Sequence, residues 1–217
     1  LTAPDYAPAA PGVRLRRQSL PGADAVGYGP GMEAGETPRI APGGRRQIGL
    51  VNSGIVWVLG RATGGRPPHV FTTLARHRGL FRRWLWFAGA LMPGGKLPRA
   101  DTELVILRVA HNTGCEYEWG HHERLGKRAG LTEVEIARVR RGPEAQGWSE
   151  RQGLLLRAAD ELHGEGWIDD ELWAALAEQL DQVRLIELCM LIGHYEMLAM
   201  TLNSLRVQPE PAAERLG

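Results

Sequence analysis

Residues 182–207, QVRLIELCMLIGHYEMLAMTLNSLRV, are apolar on nearly every helical face. A helix of this kind needs partners around it rather than on one side. The segment is therefore expected to be the central buried helix of a bundle. Cys189 within it reads as a small core residue. His194 and Tyr195 either close a pocket or satisfy each other in the core.

The rest of the chain from about residue 50 agrees with an all-α architecture of at least six helices. PRADTELVILRVAHNTG has wide apolar faces, with Asp101 as a candidate cap and Gly114 as a stop. LTEVEIARVRRG and WSERQGLLLRAADELHGEG each open with a capping box, Thr132 with Glu135 and Ser149 with Gln152. IDDELWAALAEQLD is amphipathic. PPHVFTTLARHRGLFRRWLWFAGALMPGG reads as two short helices broken near Gly79 and stopped by Pro93, Gly94 and Gly95. GLVNSGIVWVLGRATG fits a short helix or a buried strand. No strand is expected after residue 60.

Residues 1–44 hold 8 alanines, 7 prolines and 8 glycines. Such a segment buries too little apolar surface to offset its ordering entropy. Residues 1–36 are expected to form a flexible or subunit-wrapping arm, and residues 37–217 one helical domain. The 26 basic and 25 acidic residues nearly balance, so nothing calls for nucleic acid or an anionic membrane. No secretory signal or membrane span is expected. With only two distant cysteines, Cys115 and Cys189, no disulfide framework is expected, and a reducing cytoplasm is the simplest home.

The chemistry concentrates in TGCEYEWGHHERLGKRAGL, residues 113–131. On a helix, Cys115, Glu118 and His122 stand at i, i+3 and i+7 and share a face. A turn at Gly114 can fold the preceding helix back and bring Glu103 to that face. A carboxylate beside an imidazole suits general acid–base catalysis. The same pair also suits a solvated helix face, so spacing alone decides nothing. Cys115 at a helix start is either a dipole-activated thiolate or a semi-buried structural thiol. Glu118-x-x-His121 resembles half of a di-iron site, but the nearest second half, Asp160-x-x-His163, has Asp for Glu, and no metal site is expected.

TELVILRVAHNTGCEYEWGHHERLGKRAGLTEVEIARV resembles the carboxymuconolactone decarboxylase and alkylhydroperoxidase-D-like superfamily. The likeness continues through AADELHGEGWIDDELWAAL and LIELCMLIGHYEMLAMTLNSL, covering roughly residues 37–207. It implies an alkylhydroperoxidase-D-like helical bundle that assembles into dimers, trimers or hexamers. The peroxidase branch carries Cys-x-x-Cys, then a histidine four residues on, with a glutamate on the preceding helix. Cys115, His122 and Glu103 match that pattern. The second cysteine does not, because Glu118 stands there and cannot close a disulfide. The decarboxylase branch carries a glutamate four residues before the histidine, as Glu118 stands before His122.

The resemblance therefore implies acid–base chemistry, without metal or organic cofactor, on a small organic acid, carboxylated lactone or related carbonyl compound. Glu103, Cys115, Glu118 and His122 are the candidate catalytic residues. His122 is expected to transfer the proton, Glu118 to orient it or act as partner acid, and Glu103 to complete the relay. Tyr117 and Cys115 are expected to line the pocket. Arg108 is either a carboxylate clamp or a solvated arginine, and His194 and Tyr195 are candidate substrate contacts. The alternatives are a thiol peroxidase centred on Cys115 and a non-catalytic oligomeric binding protein of the same fold.

Overall fold

The computed structural model describes residues 37–62 and 66–210. The proposed arm, residues 1–36, lies outside them. Among the described residues there are nine helices and no strand: α1 (Arg45–Ala62), α2 (His69–Leu74), α3 (Arg78–Leu91), α4 (Arg99–Asn112), α5 (Glu116–Arg128), α6 (Glu133–Val139), α7 (Glu150–Gly164), α8 (Asp170–Gln179) and α9 (Gln182–Leu205). The ambiguous apolar run near residue 55 is helical, as α1, with its one irregularity at Gly49, φ 80°.

Local signals behave as the side chains dictate. Thr132 and Ser149 form both expected capping boxes, and Asp169 and Asp181 cap α8 and α9. Asp101 does not cap α4. The cap position is Pro98, and Asp101 lies in the first turn, paired with Arg151 at 2.6 Å. The break between α2 and α3 falls at residues 75–77, where the His77 ring accepts from the Leu80 N–H, and Gly79 is already inside α3.

The centre of the bundle is α4, not α9. Residues 102–107, Val109 and Ala110 are all buried, and α4 packs against α5, α6, α7 and α9. One core joins α4, α7, α8 and α9 through residues such as Ile106, Leu155, Leu172 and Leu188. A second joins α4 to α5, α6 and α7 through Leu104, Leu107, Trp119 and Ile136. A third holds α1 to α2 and α3 through Ile48, Val56 and Phe81. Truncating Leu155 or Leu188, each at 0 % exposure, should cost about 2–5 kcal/mol.

The expectation that α9 is wrapped on all sides is corrected. Its inner face is buried, but Val183, Ile186, Met190, Met197 and Met200 are exposed. By length and composition α9 could also span a membrane, against the sequence expectation, yet half of its apolar stretch is packed into the domain. Cys189 is only partly buried, and both cysteines are free thiols.

Candidate active site

The α4–α5 hairpin sets the site. Gly114 adopts φ 61°, a left-handed conformation that glycine takes readily. The Thr113 hydroxyl donates to Val109 O, the Cys115 N–H donates to Ala110 O, and Asn203 on α9 donates to Thr113 O at 2.9 Å. The turn is thereby tied both to α4 and to α9. Farther along, Gly126 faces α4. A Cβ there would lie 3.1 Å from Leu131, 3.6 Å from Leu107 and 3.8 Å from Glu103. The missing side chain lets the two helices approach where Glu103 must reach across.

Glu103 and His122 meet as expected. His122 Nδ1 lies 2.7 Å from Glu103 Oε2, with both side chains buried. The carboxylate can only accept, so Nδ1 carries the proton and Nε2 is the ring atom left to the cavity. Arg99 Nη2 sits 2.7 Å from Glu103 Oε1. The second oxygen is thereby held in an ion pair.

Glu118 differs from its expected role. It does not hydrogen-bond His122, and both of its oxygens are buried without a partner. Burial, reinforced by the charge of Glu196, pushes its carboxyl well above the usual range. It therefore holds its proton to higher pH than an ordinary glutamate, and it is not the group that orients the imidazole. Glu103 does the orienting.

Glu118 and His122 line a cavity of about 280 Å³ together with Tyr117, His121, His194 and Tyr195. The remaining wall is apolar, from residues of α2, α3 and α9 such as Val70, Trp84, Met92 and Leu198. His194 and Tyr195 thus face the cavity and also touch each other, with ring centroids 5.1 Å apart at 85°. Tyr195 meets the His122 ring edge-on at 5.1 Å. Burial holds His194 neutral, with its pKa lowered to about 4, and its Nδ1 has no partner. Trp84 stacks on it at 6.1 Å. The opposite side of the same helix presents Trp86, 86 % exposed, so the two tryptophans divide between core and surface.

Two sequence expectations fail here. Cys115 is buried at 0 % exposure and is not part of the cavity wall. Burial, then the neighbouring Glu118, pushes its thiol strongly up. These effects overwhelm the stabilisation of a thiolate by the helix dipole. Arg108 is not a clamp. It makes a bidentate pair with Asp160 at 2.6 and 2.8 Å and donates to Val139 O, away from the cavity.

The partial di-iron pattern also disperses. His121 pairs with Glu210, Asp160 with Arg108 and Asn112, and His163 with Glu196. Sequence reasoning missed Glu210 entirely. It lies beyond the 37–207 likeness and follows a proline-containing stretch with no periodic signal.

Comparison with known proteins adds a family match over part of the chain and a likeness of fold. Residues 78–161 match the model of the Carboxymuconolactone decarboxylase family. The search of curated proteins found no match. The structure is similar to an alkylhydroperoxidase AhpD core, a peroxidase-related protein from Ralstonia eutropha JMP134. There the TM-score is 0.73 at 17 % identity, over 82 % of this chain and 94 % of that one. It is also similar to the debrominase Bmp8 without ligand, with TM-score 0.66 at 15 % identity over 80 % and 92 % of the two chains. A cysteine-to-alanine variant of Bmp8 in complex with 2,3,4-tribromopyrrole gives 0.68 at 14 % identity over the same shares. At these identities the likeness to solved structures is one of fold. The family match covers α3 to α7, which carry both Glu103 and the α5 motif. Residues 78–161 thus resemble the Carboxymuconolactone decarboxylase family in sequence, and the helical domain as a whole is similar in fold to the alkylhydroperoxidase AhpD core.

Proposed function

We propose that the protein is a cofactor-independent acid–base enzyme that moves protons on a small carboxylated lactone or related carbonyl compound. One observation carries this reading. A histidine oriented by a buried carboxylate and a buried carboxyl without partners line the same small apolar cavity. The different surroundings of the two groups support different roles, since Glu103 holds the His122 ring and nothing bonds Glu118. His122 Nε2 accepts a proton from the substrate, and the imidazolium it forms is stabilised by Glu103. Glu118 is protonated and donates to the atom that gains charge. Reprotonation of Glu118 and loss of the proton from His122 restore the starting state. Tyr117, His194 and Tyr195 shape the space.

The test is proton exchange, which reads the first proton transfer whatever product follows it. Carboxylated lactones and related keto acids are incubated with the full chain in D₂O and followed by proton NMR. Wild type should incorporate deuterium at carbon or convert at least one of them. His122→Ala should lower that rate on the order of 10²–10⁴-fold. The reading fails if His122→Ala keeps the wild-type rate. It fails equally if turnover appears only with hydroperoxides and depends on Cys115.

We also propose that the chain works as a homo-oligomer. The exposed apolar residues of α9 recur every three, four or seven positions, as in a helix–helix seam. Sedimentation showing only a 23.9 kDa species at micromolar concentration would refute this.

A further inference from the structure

A second polar cluster lies where α2, α5 and the segment after α9 meet. Glu210 Oε1 accepts from the His69 backbone N–H at 2.6 Å and from the Tyr117 hydroxyl at 2.7 Å. Its Oε2 lies 3.0 Å from His121 Nε2. The surrounding bonds fix the direction of each donor. The Tyr117 hydroxyl accepts the Val70 N–H at 3.0 Å, so its own proton points at Glu210. Arg124 Nη2 lies 3.2 Å from His121 Nδ1. A guanidinium only donates, so Nδ1 accepts and Nε2 carries the proton toward Glu210. Three donors therefore converge on one carboxylate. Burial pushes that carboxyl up, but the bonds from His121, the His69 N–H and Tyr117 outweigh it and hold Glu210 ionised.

Tyr117 and His121 also line the cavity, beside Glu118 and His122. A ligand in the cavity therefore meets the two side chains whose donors hold Glu210. The segment bearing Glu210 is latched by a further contact, Gln208 O to His69 Nδ1 at 2.8 Å.

We infer that Tyr117, His121 and the His69 N–H form a carboxylate-binding subsite adjoining the cavity, occupied in the free protein by the chain's own Glu210. The carboxylate of a small acid with an apolar body takes the subsite in exchange for Glu210. This deepens the proposed acid–base reading, because it anchors the acid end of the substrate beside the groups that move its proton. The apolar wall holds the body, and among the described residues no arginine or lysine lines the cavity, Arg108 being paired with Asp160 outside it.

The probe is benzoate, with benzamide as the uncharged control, measured by calorimetry on the full chain. Glu210→Gln should bind benzoate at least tenfold tighter than wild type and bind benzamide no better. Adding Tyr117→Phe or His121→Ala to Glu210→Gln should remove that gain. On wild type, saturating benzoate should shift the His69 and Val70 amide resonances and speed hydrogen exchange in residues 207–210. The inference is overturned if folded Glu210→Gln gains no affinity. Should that variant fail to fold, unmoved His69 and Val70 amides in benzoate-saturated wild type overturn it instead. Benzoate binding without proton exchange on any substrate would leave the subsite standing and sink the enzymatic reading.

Discussion

Two carboxyl groups, one on α5 and one packed against it, have opposite fates. Glu118 faces the cavity with neither oxygen partnered, and its affinity for a proton is raised. Glu210 approaches the other flank, receives three hydrogen bonds, and has its affinity lowered. Both are taken partly or wholly out of water, and burial pushes both upward. What separates them is partners. A buried carboxyl with donors keeps its charge, and one without them keeps its proton. One helix therefore has a proton donor on one flank and an anion cradle on the other.

The largest test of this division is catalytic. With Glu118 as the acid, Glu118→Gln should lower turnover on the order of 10²-fold, the lower end of what a positioned acid contributes. Wild-type rate should fall as pH rises through the raised pKa of Glu118, and the variant should lack that limb. A pH–rate profile with the same alkaline limb in both proteins would remove Glu118 from the acid role.

The next test is stability against pH, where the two groups predict opposite slopes. Above the ordinary value of 4.5, unfolded Glu118 has lost a proton that the native state still holds. Native stability therefore falls as pH rises from 4.5 to the raised folded value, by up to about 1.4 kcal/mol per pH unit. Glu118→Gln should gain on wild type across that window. Glu210 has a lowered folded value, so its stabilisation is full above 4.5 and is lost as pH falls below it. Glu210→Gln should be destabilised by about 1.5–3 kcal/mol near neutrality, the usual worth of hydrogen bonds to a charged group, and less in acid. Urea unfolding from pH 2 to 8 reads both, Glu118 above 4.5 and Glu210 below it. Parallel curves for the two variants would erase the distinction.

How much of this was legible in the sequence follows from range. The capping boxes, the stop at Gly114 and the face shared by Glu118 and His122 depend on spacing within one helix or turn. The pairing of Glu103 with His122 required only that the turn fold back. The centre of the bundle was misjudged because hydropathy reports apolar surface, not what covers it. Residues of α4 such as Thr102 and Glu103 are fully enclosed, while Ile186 and Met200 on the more apolar α9 stay exposed. The roles of Glu118 and Arg108 depend on partners about 50 to 80 positions away, Asp160 for Arg108 and Glu196 for Glu118. No local pattern encodes those. Glu210 was invisible because its meaning comes entirely from where the chain after α9 lands.

The smallest expected effect concerns Cys115, on the same helix end. It is completely buried, and burial with the nearby Glu118 disfavours its thiolate. Thiolate fraction and access govern reaction with peroxide. Cys115 should therefore remain mostly unmodified at modest peroxide, as read by mass spectrometry with and without reductant. Cys115→Ser should keep turnover within a few-fold of wild type, because it leaves the cavity wall and the Glu103–His122 pair untouched. Glu118→Gln sharpens the point. Removing the ionisable neighbour deletes only the secondary cause of the raised thiol, so the variant should stay nearly as unreactive as wild type. If sulfenic acid instead forms readily on wild-type Cys115, or Cys115→Ser abolishes turnover, the thiol and not the imidazole is the working group. The contrast between the two flanks of α5 would then describe stability rather than catalysis.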